Sequence, residues 1–288
     1  MRTCLTLAVS GNLGYNTLVY LFEFTDIELI ATDKNSFDII DFAKAKSIPL
    51  FIGNPRNGKL SLKIKNDNNT LFLSINYLFL LEEDLILKFI YPINFHGSLL
   101  PKYRGRTPHV WSIINNEIET GITAHIIDSG CDTGDILLQT KIPISENDTG
   151  FSLLEKYNEI YPLMINELID QIKSKNINRT KQDASVSTVY GQRTPLDGRI
   201  NWGWQKVRIR NWVRAQTYPY PGAFTFFDNK KIIIDKVSFC EIGFNNDLKN
   251  GTILQVKPTL VVKTSNGAVK IDVIRNNDAE FIQNKILS

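Results

Sequence analysis

Short apolar runs alternate with amphipathic stretches from Thr3 to Ser174, and this alternation constrains the fold more than any other feature. The apolar runs have the length of strands, and the amphipathic stretches repeat apolar residues at helical spacing. The predicted strands are residues 3–9, 27–33, 70–81 and 91–97, and the predicted helices lie within residues 10–24, 36–46, 82–90 and 151–174. Because strands joined through helices run parallel, the pattern predicts an α/β fold with an open, mostly parallel sheet and flanking helices.

The C-terminal part of the chain has a different pattern. Short alternating runs separated by turn residues cover 230–239, 251–258, 259–267 and 268–274. This spacing predicts a small β-rich, barrel-like domain. We therefore expect a catalytic domain over 1–185, a linker with a nucleotide-binding loop and a short helix over 186–228, and the small domain over 229–288.

The overall composition excludes several protein classes. The 288 residues are 43% hydrophobic and 22% charged, with a net charge of +3 that by itself does not indicate nucleic-acid binding. The three cysteines form no CxxC pair, so neither a disulfide framework nor a zinc site is expected, and no metal is predicted. The start of the chain has no signal-peptide pattern, and no apolar run reaches the length of a membrane span, which favours a cytoplasmic protein.

The stretch from Asn94 to Leu137 carries the candidate chemistry. Asn94 and His96 are two positions apart at the end of a predicted strand, so their side chains face one side. A β-rich run, GITAHIID, then leads into the turn SGCDTGD, which contains Asp132. An amide donor, an imidazole and a carboxylate suit acyl transfer to an amine. The amide stabilises an oxyanion, the imidazole accepts the amine proton, and the carboxylate orients the imidazole.

Each of these residue types also has an ordinary structural explanation. A single Asn, His or Asp is most often a turn or capping residue, and only the joint pattern favours a site. His109 and His125 fit structural positions at a helix start and in a strand. Cys131 lies in the same turn, but nothing in the sequence places a general base beside it.

The motifs NFHGSLLPKYRG, GITAHIID and CDTGDI resemble the signature of the folate-dependent formyltransferases in order and spacing. The resemblance extends over nearly the whole chain. It implies a Rossmann-like formyltransferase fold, the catalytic trio Asn94, His96 and Asp132, and N10-formyltetrahydrofolate as formyl donor. It also implies a slot for the pterin ring, formed by the segment of Leu78, Leu80 and Leu85 and by the turn of Asp128, Gly130 and Cys131.

Three further fragments, SLLPKYRGRTPHVW, YGQRTPLDGRINW and VRAQTYPYPGAF, are most similar to family members that formylate nucleotide-linked amino sugars. The resemblance implies dTDP-4-amino-4,6-dideoxyglucose as acceptor, in O-antigen and lipopolysaccharide synthesis. Methionyl-tRNA formylation and a non-catalytic folate- or nucleotide-sugar-binding relative remain the alternatives. Basic residues interleaved with aromatics keep the tRNA alternative open, and a homodimer is possible.

The candidate substrate-binding residues come from four parts of the chain. A loop entering a helix after the first strand offers backbone donors to a polar group. The basic segment KYRGR offers charge to a diphosphate or to the folate tail. By the resemblance, the YGQRTP loop approaches the nucleotide, and the aromatic residues beyond it offer faces for a pyrimidine base. The residues are Gly11, Asn12, Lys102, Arg104, Arg193, Trp202 and Tyr218.

Overall fold

The computed structural model describes residues 2–64, 71–276 and 279–288. The chain forms two compact units. The first comprises Met1–Gly105, Thr120–Ile142 and Leu154–Tyr190, and the second comprises Arg106–Glu119, Pro143–Leu153 and Gly191–Ser288. Both units therefore draw on separate stretches of the chain.

A sheet of seven strands dominates the described part of the first unit. The strands are β1 Thr3–Val9, β2 Thr25–Thr32, β3 Leu50–Ile52, β4 Leu71–Ile75, β5 Pro92–His96, β6 Arg104–Gly105, β7 Glu119–Ile126, β8 Ile136–Pro143 and β9 Val189–Tyr190. The sheet has the order β3-β2-β1-β4-β5-β7-β8, and the neighbours from β3 to β5 are parallel while β7 is antiparallel to β5. The two remaining strands, β6 and β9, form a small parallel pair.

The helices follow the strands as the alternation predicts. They are α1 Gly11–Phe22, α2 Phe37–Ala45, α3 Glu83–Ile86, α4 Pro108–Ile114, α5 Gly150–Lys173 and α6 Lys206–Ala215. Together with the sheet order, they confirm the predicted α/β class with an open, mostly parallel sheet. Among the described residues, no helix has the length and apolar character that crossing a membrane requires.

The carboxyl ends of β1, β4 and β5 lie side by side. Val9 pairs with Ile75, and Ile75 pairs with Phe95, the residue before His96. In the strand order, β2 and β3 lie on one side of β1, and β4 and β5 lie on its other side. Such a reversal of strand order leaves a crevice at the carboxyl ends, where ligands bind in open α/β sheets.

The predicted strand over 70–81 and the helix over 82–90 are longer than the elements observed. Thr70 lies outside the described residues, the strand ends at Ile75, and the helix is only the short α3. Asn76 adopts a left-handed φ of 54°, which breaks the extended conformation. The apolar residues beyond Asn76 therefore belong to an irregular segment, although their composition favours a strand.

The second unit contains five strands, β10 Ala223–Phe227, β11 Lys230–Cys240, β12 Ile253–Gln255, β13 Leu260–Thr264 and β14 Gly267–Ile274. They form an antiparallel sheet in the order β10-β11-β14-β13-β12, which confirms the predicted small β domain. Asp228 and Asn229, both with positive φ, join β10 to β11, and Asp and Asn tolerate this conformation in a two-residue hairpin. The sequence pattern does not predict β10, because its aromatic residues follow a Pro/Gly turn.

Helix α4 belongs to the second unit because its end is bonded to α6. The guanidinium of Arg208 donates hydrogen bonds to the carbonyl oxygen of Ile114 and to the side chain of Asn115. These contacts explain why residues 106–119 group with the C-terminal part of the chain rather than with the sequence around them.

Candidate active site

Strand β5 places Asn94 and His96 on one face, as their spacing predicts. Both side chains point at the carboxylate of Asp132. The amide nitrogen of Asn94 lies 3.5 Å from Oδ1 of Asp132, and Nδ1 of His96 lies 3.5 Å from Oδ2. The structure thus brings the three predicted residues together, and Asp132 joins the other two.

The turn that carries Asp132 is built by its own side chains and glycines. Oδ1 of Asp128 accepts hydrogen bonds from the N–H of Gly130 and from the hydroxyl of Thr133, which closes the turn. A Cβ on Gly134 would lie 1.9 Å from the carbonyl oxygen of Ile126, so only glycine fits there. The SGCDTGD motif is therefore a turn whose residue types follow from its close packing.

The hydrogen bonds of His96 determine which ring nitrogen carries its proton. Nε2 lies 2.7 Å from the carbonyl oxygen of Tyr103. Because a carbonyl oxygen can only accept, neutral His96 carries its proton on Nε2 and donates it to Tyr103. The lone pair is therefore on Nδ1 and faces Asp132. A proton taken up by His96 enters at Nδ1 and forms an ion pair with Asp132.

The protonation states follow from burial and from these neighbours. Burial lowers the pKa of His96 from its usual value of 6.5, and the Asp132 carboxylate and the Tyr103 carbonyl act in the opposite direction. Burial acts to raise the pKa of Asp132, but His96 and the N–H of Gly105 act in the opposite direction, and this pKa lies well below 3.8. At neutral pH the site therefore contains a carboxylate and a neutral imidazole that can accept a proton.

His125 belongs to the same cluster, although the sequence analysis assigned it a structural strand position. It lies opposite Asn94 in the β5–β7 pair, and directly opposite residues project to the same face. Nδ1 of His125 donates to the carbonyl oxygen of Ile126 at 2.8 Å, so Nε2 accepts from the Asn94 amide at 3.1 Å. The register between the two strands was the signal that could have identified it.

The loop after β5 supplies main-chain partners for both titratable residues of the predicted trio. The carbonyl of Tyr103 accepts from His96, and the N–H of Gly105 donates to Oδ2 of Asp132 at 2.9 Å. Gly105 has a φ of +95°, and a Cβ there would lie 2.3 Å from the carbonyl oxygen of Tyr190. Glycine is therefore required at this point of the YRG motif.

Two tyrosines of helix α5 donate hydrogen bonds to the main chain at the end of β5. The hydroxyl of Tyr157 donates to the carbonyl oxygen of Gly97 at 2.8 Å, and that of Tyr161 donates to the carbonyl oxygen of Phe95 at 3.4 Å. Both tyrosines are buried. The main chain on either side of His96 is thus fixed by the long helix.

A cleft of about 410 Å³ lies along the Asp132 turn. Leu80, Asp128, Gly130 and Cys131, all predicted for the pterin slot, line it. Its full lining is Arg56, Asn57, Leu80, Leu81, Glu82, Ile127, Asp128, Ser129, Gly130 and Cys131. Apolar side chains and main-chain groups are what a flat, neutral heterocycle needs.

Two of the leucines predicted for this slot lie elsewhere. Leu85 is only 2% exposed and belongs to a core cluster with Leu60 and Phe72. Leu81 and Ile127, which line the cleft, pack against that cluster. Leu85 therefore contributes to the core behind the cleft lining. Leu78 is exposed and lies outside the lining. Leu85 is the buried residue of the short helix α3, and a helical position that faces the core cannot be recognised from the residue type alone.

Comparison with known proteins identifies the family. The formyl transferase family model matches residues 53–169, and the model of the formyl transferase C-terminal domain matches residues 193–285. The chain belongs to the formyl transferase family. The bifunctional polymyxin resistance protein ArnA of Wigglesworthia glossinidia brevipalpis is 37% identical over 212 residues. This match covers 68% of the chain but only 32% of that longer relative.

Solved structures of other formyltransferases share the fold. WlaRD, described as a sugar 3N-formyl transferase with dTDP and 5-N-formyl-THF, has a TM-score of 0.75 at 24% identity and covers 96% of this chain and 99% of its own. An N-formyltransferase from Helicobacter canadensis, with folinic acid and dTDP-3-aminofucose, has a TM-score of 0.73 at 23% identity, with coverages of 94% and 99%. A 4-N formyltransferase from Francisella tularensis has a TM-score of 0.68 at 19% identity, with coverages of 81% and 98%.

The substrate-binding residues predicted in the first unit of this formyltransferase lie in two places. The N–H of Gly11 donates to Ser36 Oγ at 2.9 Å, and Asn12 is exposed on the first turn of α1. Lys102 is exposed on the loop after β5. Arg104, in contrast, is buried, and its guanidinium donates two hydrogen bonds to Oε1 of Gln182. The structure thus gives Arg104 a partner inside the protein rather than an open position for a diphosphate.

The candidates in the second unit are also distributed between core and surface. The guanidinium of Arg193 lies 4.3 Å from the ring centroid of Trp212 and 5.0 Å from that of Trp111, and it donates to Gln216 and to the carbonyl of Asp197. Trp202 is 4% exposed and donates to Thr225, so it packs in the core and presents no face to a base. Tyr218 is 74% exposed.

Proposed function

We propose that this formyltransferase moves a formyl group from N10-formyltetrahydrofolate to the amine of a nucleotide-linked amino-deoxy sugar. The observation that carries the proposal is the cluster of Asn94, His96 and Asp132 beside a cleft whose lining combines apolar with polar and charged residues. The chemistry needs no more than a base, an oxyanion donor and an orienting carboxylate. WlaRD, described with dTDP and 5-N-formyl-THF, and the Helicobacter canadensis enzyme, described with folinic acid and dTDP-3-aminofucose, support the choice of both substrates.

The amine of the acceptor attacks the formyl carbon and its excess proton passes to Nδ1 of His96. The resulting imidazolium donates to Asp132 through Nδ1 and to the Tyr103 carbonyl through Nε2, so both of its protons are bonded. The oxygen of the tetrahedral intermediate accepts an N–H of Asn94. The Asn94–Asp132 contact is long, at 3.5 Å, so this N–H is readily donated to the oxyanion instead. On collapse, the imidazolium returns the proton to the departing N10 nitrogen.

We propose that this cleft holds the formyl donor. Leu80, Leu81 and Ile127 offer apolar contact to a pterin ring, and the backbone of the 128–131 turn offers polar groups to its edge. Cys131 and Asp132 are consecutive, so a ring in the cleft lies next to the catalytic carboxylate. The donor supplies an activated formyl group, and the protein residues position it and manage the proton.

We infer that the acceptor is dTDP-4-amino-4,6-dideoxyglucose, which would place the product in O-antigen synthesis. The support is the similarity of the RTPLDGRINW and YPYPGAF fragments to enzymes of that group. Relatives described as 3N- and 4-N-formyltransferases share this fold, so an assay must vary the position of the amine.

The arginines of α6 weigh against tRNA as the acceptor. A tRNA-binding face needs cations that point outwards to phosphates. Arg208 donates to the end of α4, Arg210 to the carbonyl of Glu146, and Arg214 to the carbonyls of Ser145 and Asp148. The basic and aromatic pattern of this helix is therefore used within the second unit.

The test is formyl transfer from N10-formyltetrahydrofolate to a panel of acceptors. The panel contains dTDP- and UDP-linked sugars with the amine at C3 or C4, and methionyl-tRNA. We expect turnover on one nucleotide sugar with tRNA inert, and loss of turnover in His96→Ala. Turnover on tRNA alone would replace the proposed acceptor, and no transfer to any amine would refute the proposed reaction.

A further inference from the structure

Gln182 joins the two loops that hold the titratable residues of the site, and the proposed reaction assigns it no role. Its Nε2 donates to the carbonyl oxygen of Asp132 at 2.9 Å and to that of Gly134 at 2.7 Å. Its Oε1 accepts from Nε of Arg104 at 3.2 Å and from Nη2 at 2.7 Å. One side-chain amide therefore makes four hydrogen bonds, two to each loop.

The loops joined in this way have backbone conformations that need outside support. Asp132 has a φ of 55° and Tyr103 a φ of 62°. The left-handed region is unfavourable for a non-glycine residue, and such residues persist when surrounding contacts determine them. Gln182 bonds to the carbonyl of Asp132 itself. Arg104 lies between Tyr103, which accepts from His96, and Gly105, which donates to Asp132.

The segment around Gln182 holds the second loop at further points. The hydroxyl oxygen of Thr188 accepts from the N–H of Tyr103 at 2.8 Å, and the Thr188 carbonyl accepts from the N–H of Arg104 at 2.9 Å. The ring of Tyr190 stacks on Tyr103 with an interplanar angle of 12°. These contacts act on the Tyr103 loop alone. The N–H of Gly105 joins that loop to the side chain of Asp132, and the bonds of Gln182 join it to the main chain of the Asp132 turn.

We propose that Gln182 is a positioning residue that sets the distance and orientation between Asp132 and His96. The proposal rests on the proposed function only for the reaction used to measure it. An amide suits this position because it offers two donors and an acceptor in one plane. The donors fix the turn of Asp132, and the acceptor fixes Arg104 and with it the carbonyl that orients His96.

The first test compares Gln182→Met and Gln182→Ala with the wild type. Both substitutions replace one uncharged side chain by another, so they alter no charge near His96. Methionine also keeps an unbranched chain of similar length. We expect kcat to fall on the order of 10- to 100-fold, the effect of a displacement of about 1 Å in a catalytic group. The KM values for both substrates should stay near those of the wild type. The matched control is Lys181→Ala, an exposed neighbour that should turn over normally.

The second readout is the protonation of His96, which does not require turnover. The groups that face His96 are Asp132 and the Tyr103 carbonyl, which raise its pKa, and His125, which lowers it. If Asp132 moves away, the pKa of His96 falls further and the acidic limb of the pH–rate profile shifts to lower pH. Because the chain has three histidines, NMR titration of labelled imidazoles can be assigned with single substitutions.

A lower kcat together with a lower pKa of His96, in a variant that still unfolds cooperatively, supports the proposal. Normal kcat in both variants would overturn it. A lower kcat with an unchanged pKa of His96 would also overturn it. The loss of rate would then come from a change elsewhere in the structure and not from a displacement of Asp132. If the wild type transfers no formyl group, the proposed function fails, and the NMR titration still tests the position of Asp132.

Discussion

Replacement of Asp132 by asparagine tests the site most directly, because it keeps the size of the side chain and removes its charge. In the wild type the carboxylate faces the lone pair on Nδ1 of His96 and stabilises the imidazolium that forms during transfer. An asparagine amide would instead donate to Nδ1 and occupy the lone pair that must accept the proton. The variant thus loses the stabilising charge and blocks the accepting atom.

The separation of the two groups gives the size of the effect. Nδ1 of His96 and Oδ2 of Asp132 are 3.5 Å apart. At an effective dielectric constant of about 20, this pair of charges attracts by about 5 kcal/mol. Since about 1.4 kcal/mol corresponds to a factor of ten, we expect kcat to fall roughly 10³-fold. Binding of the two substrates should change much less, because Asp132 acts on the proton.

The assay is single-turnover formyl transfer measured across pH. The acidic limb of the profile should move to lower pH, because the carboxylate that raises the pKa of His96 is gone. Asp135→Asn is the matched control, since it removes a carboxylate from the same turn, and it should keep a rate near that of the wild type. A rate in Asp132→Asn within tenfold of the wild type, or an acidic limb at higher pH, would refute the assignment.

Three further changes test other parts of the structure. Burial lowers the pKa of His109 to about 4, so stability should fall by up to about 3 kcal/mol as pH drops from 6.5 to 4, where the unfolded chain binds a proton that the folded chain does not. His109→Gln keeps a hydrogen-bonding group near Tyr220 but cannot be protonated. Denaturant titrations at pH 7.5 and 4.5 should therefore show a smaller decrease in the free energy of unfolding for this variant than for the wild type. An equal decrease in both proteins would contradict this account. Arg193→Ala should lower the free energy of unfolding by about 1–3 kcal/mol through lost cation–π contacts and hydrogen bonds. A higher KM for the nucleotide sugar, with an unchanged free energy of unfolding, would instead assign Arg193 to the substrate site. Gly134→Ala should cost about 1–3 kcal/mol and reduce kcat, because its Cβ would collide with the Ile126 carbonyl; normal melting and turnover would contradict the observed packing.

Local patterns were enough to predict the class of fold. Apolar runs and helical periodicity specify strands and helices one by one, and the short connections between them leave few topologies. The same local logic failed at Asn76, where a left-handed residue ends β4 although the next residues are apolar. It also does not reveal the burial of Trp202, because an aromatic residue beside basic ones looks the same in sequence whether it is buried or exposed.

The sequence by itself determined the residue types of the site, because Asn94 and His96 share a strand face and Asp132 lies in a glycine-bounded turn. Only the tertiary structure decided which groups surround them. Strand pairing brought His125 to Asn94, and the chain folding back from residue 180 to 190 brought Gln182 to the Asp132 turn. These partners lie 31 and 50 positions away along the chain. Periodicity describes only the nearest neighbours, whereas proton position and loop orientation depend on contacts made after the chain has folded.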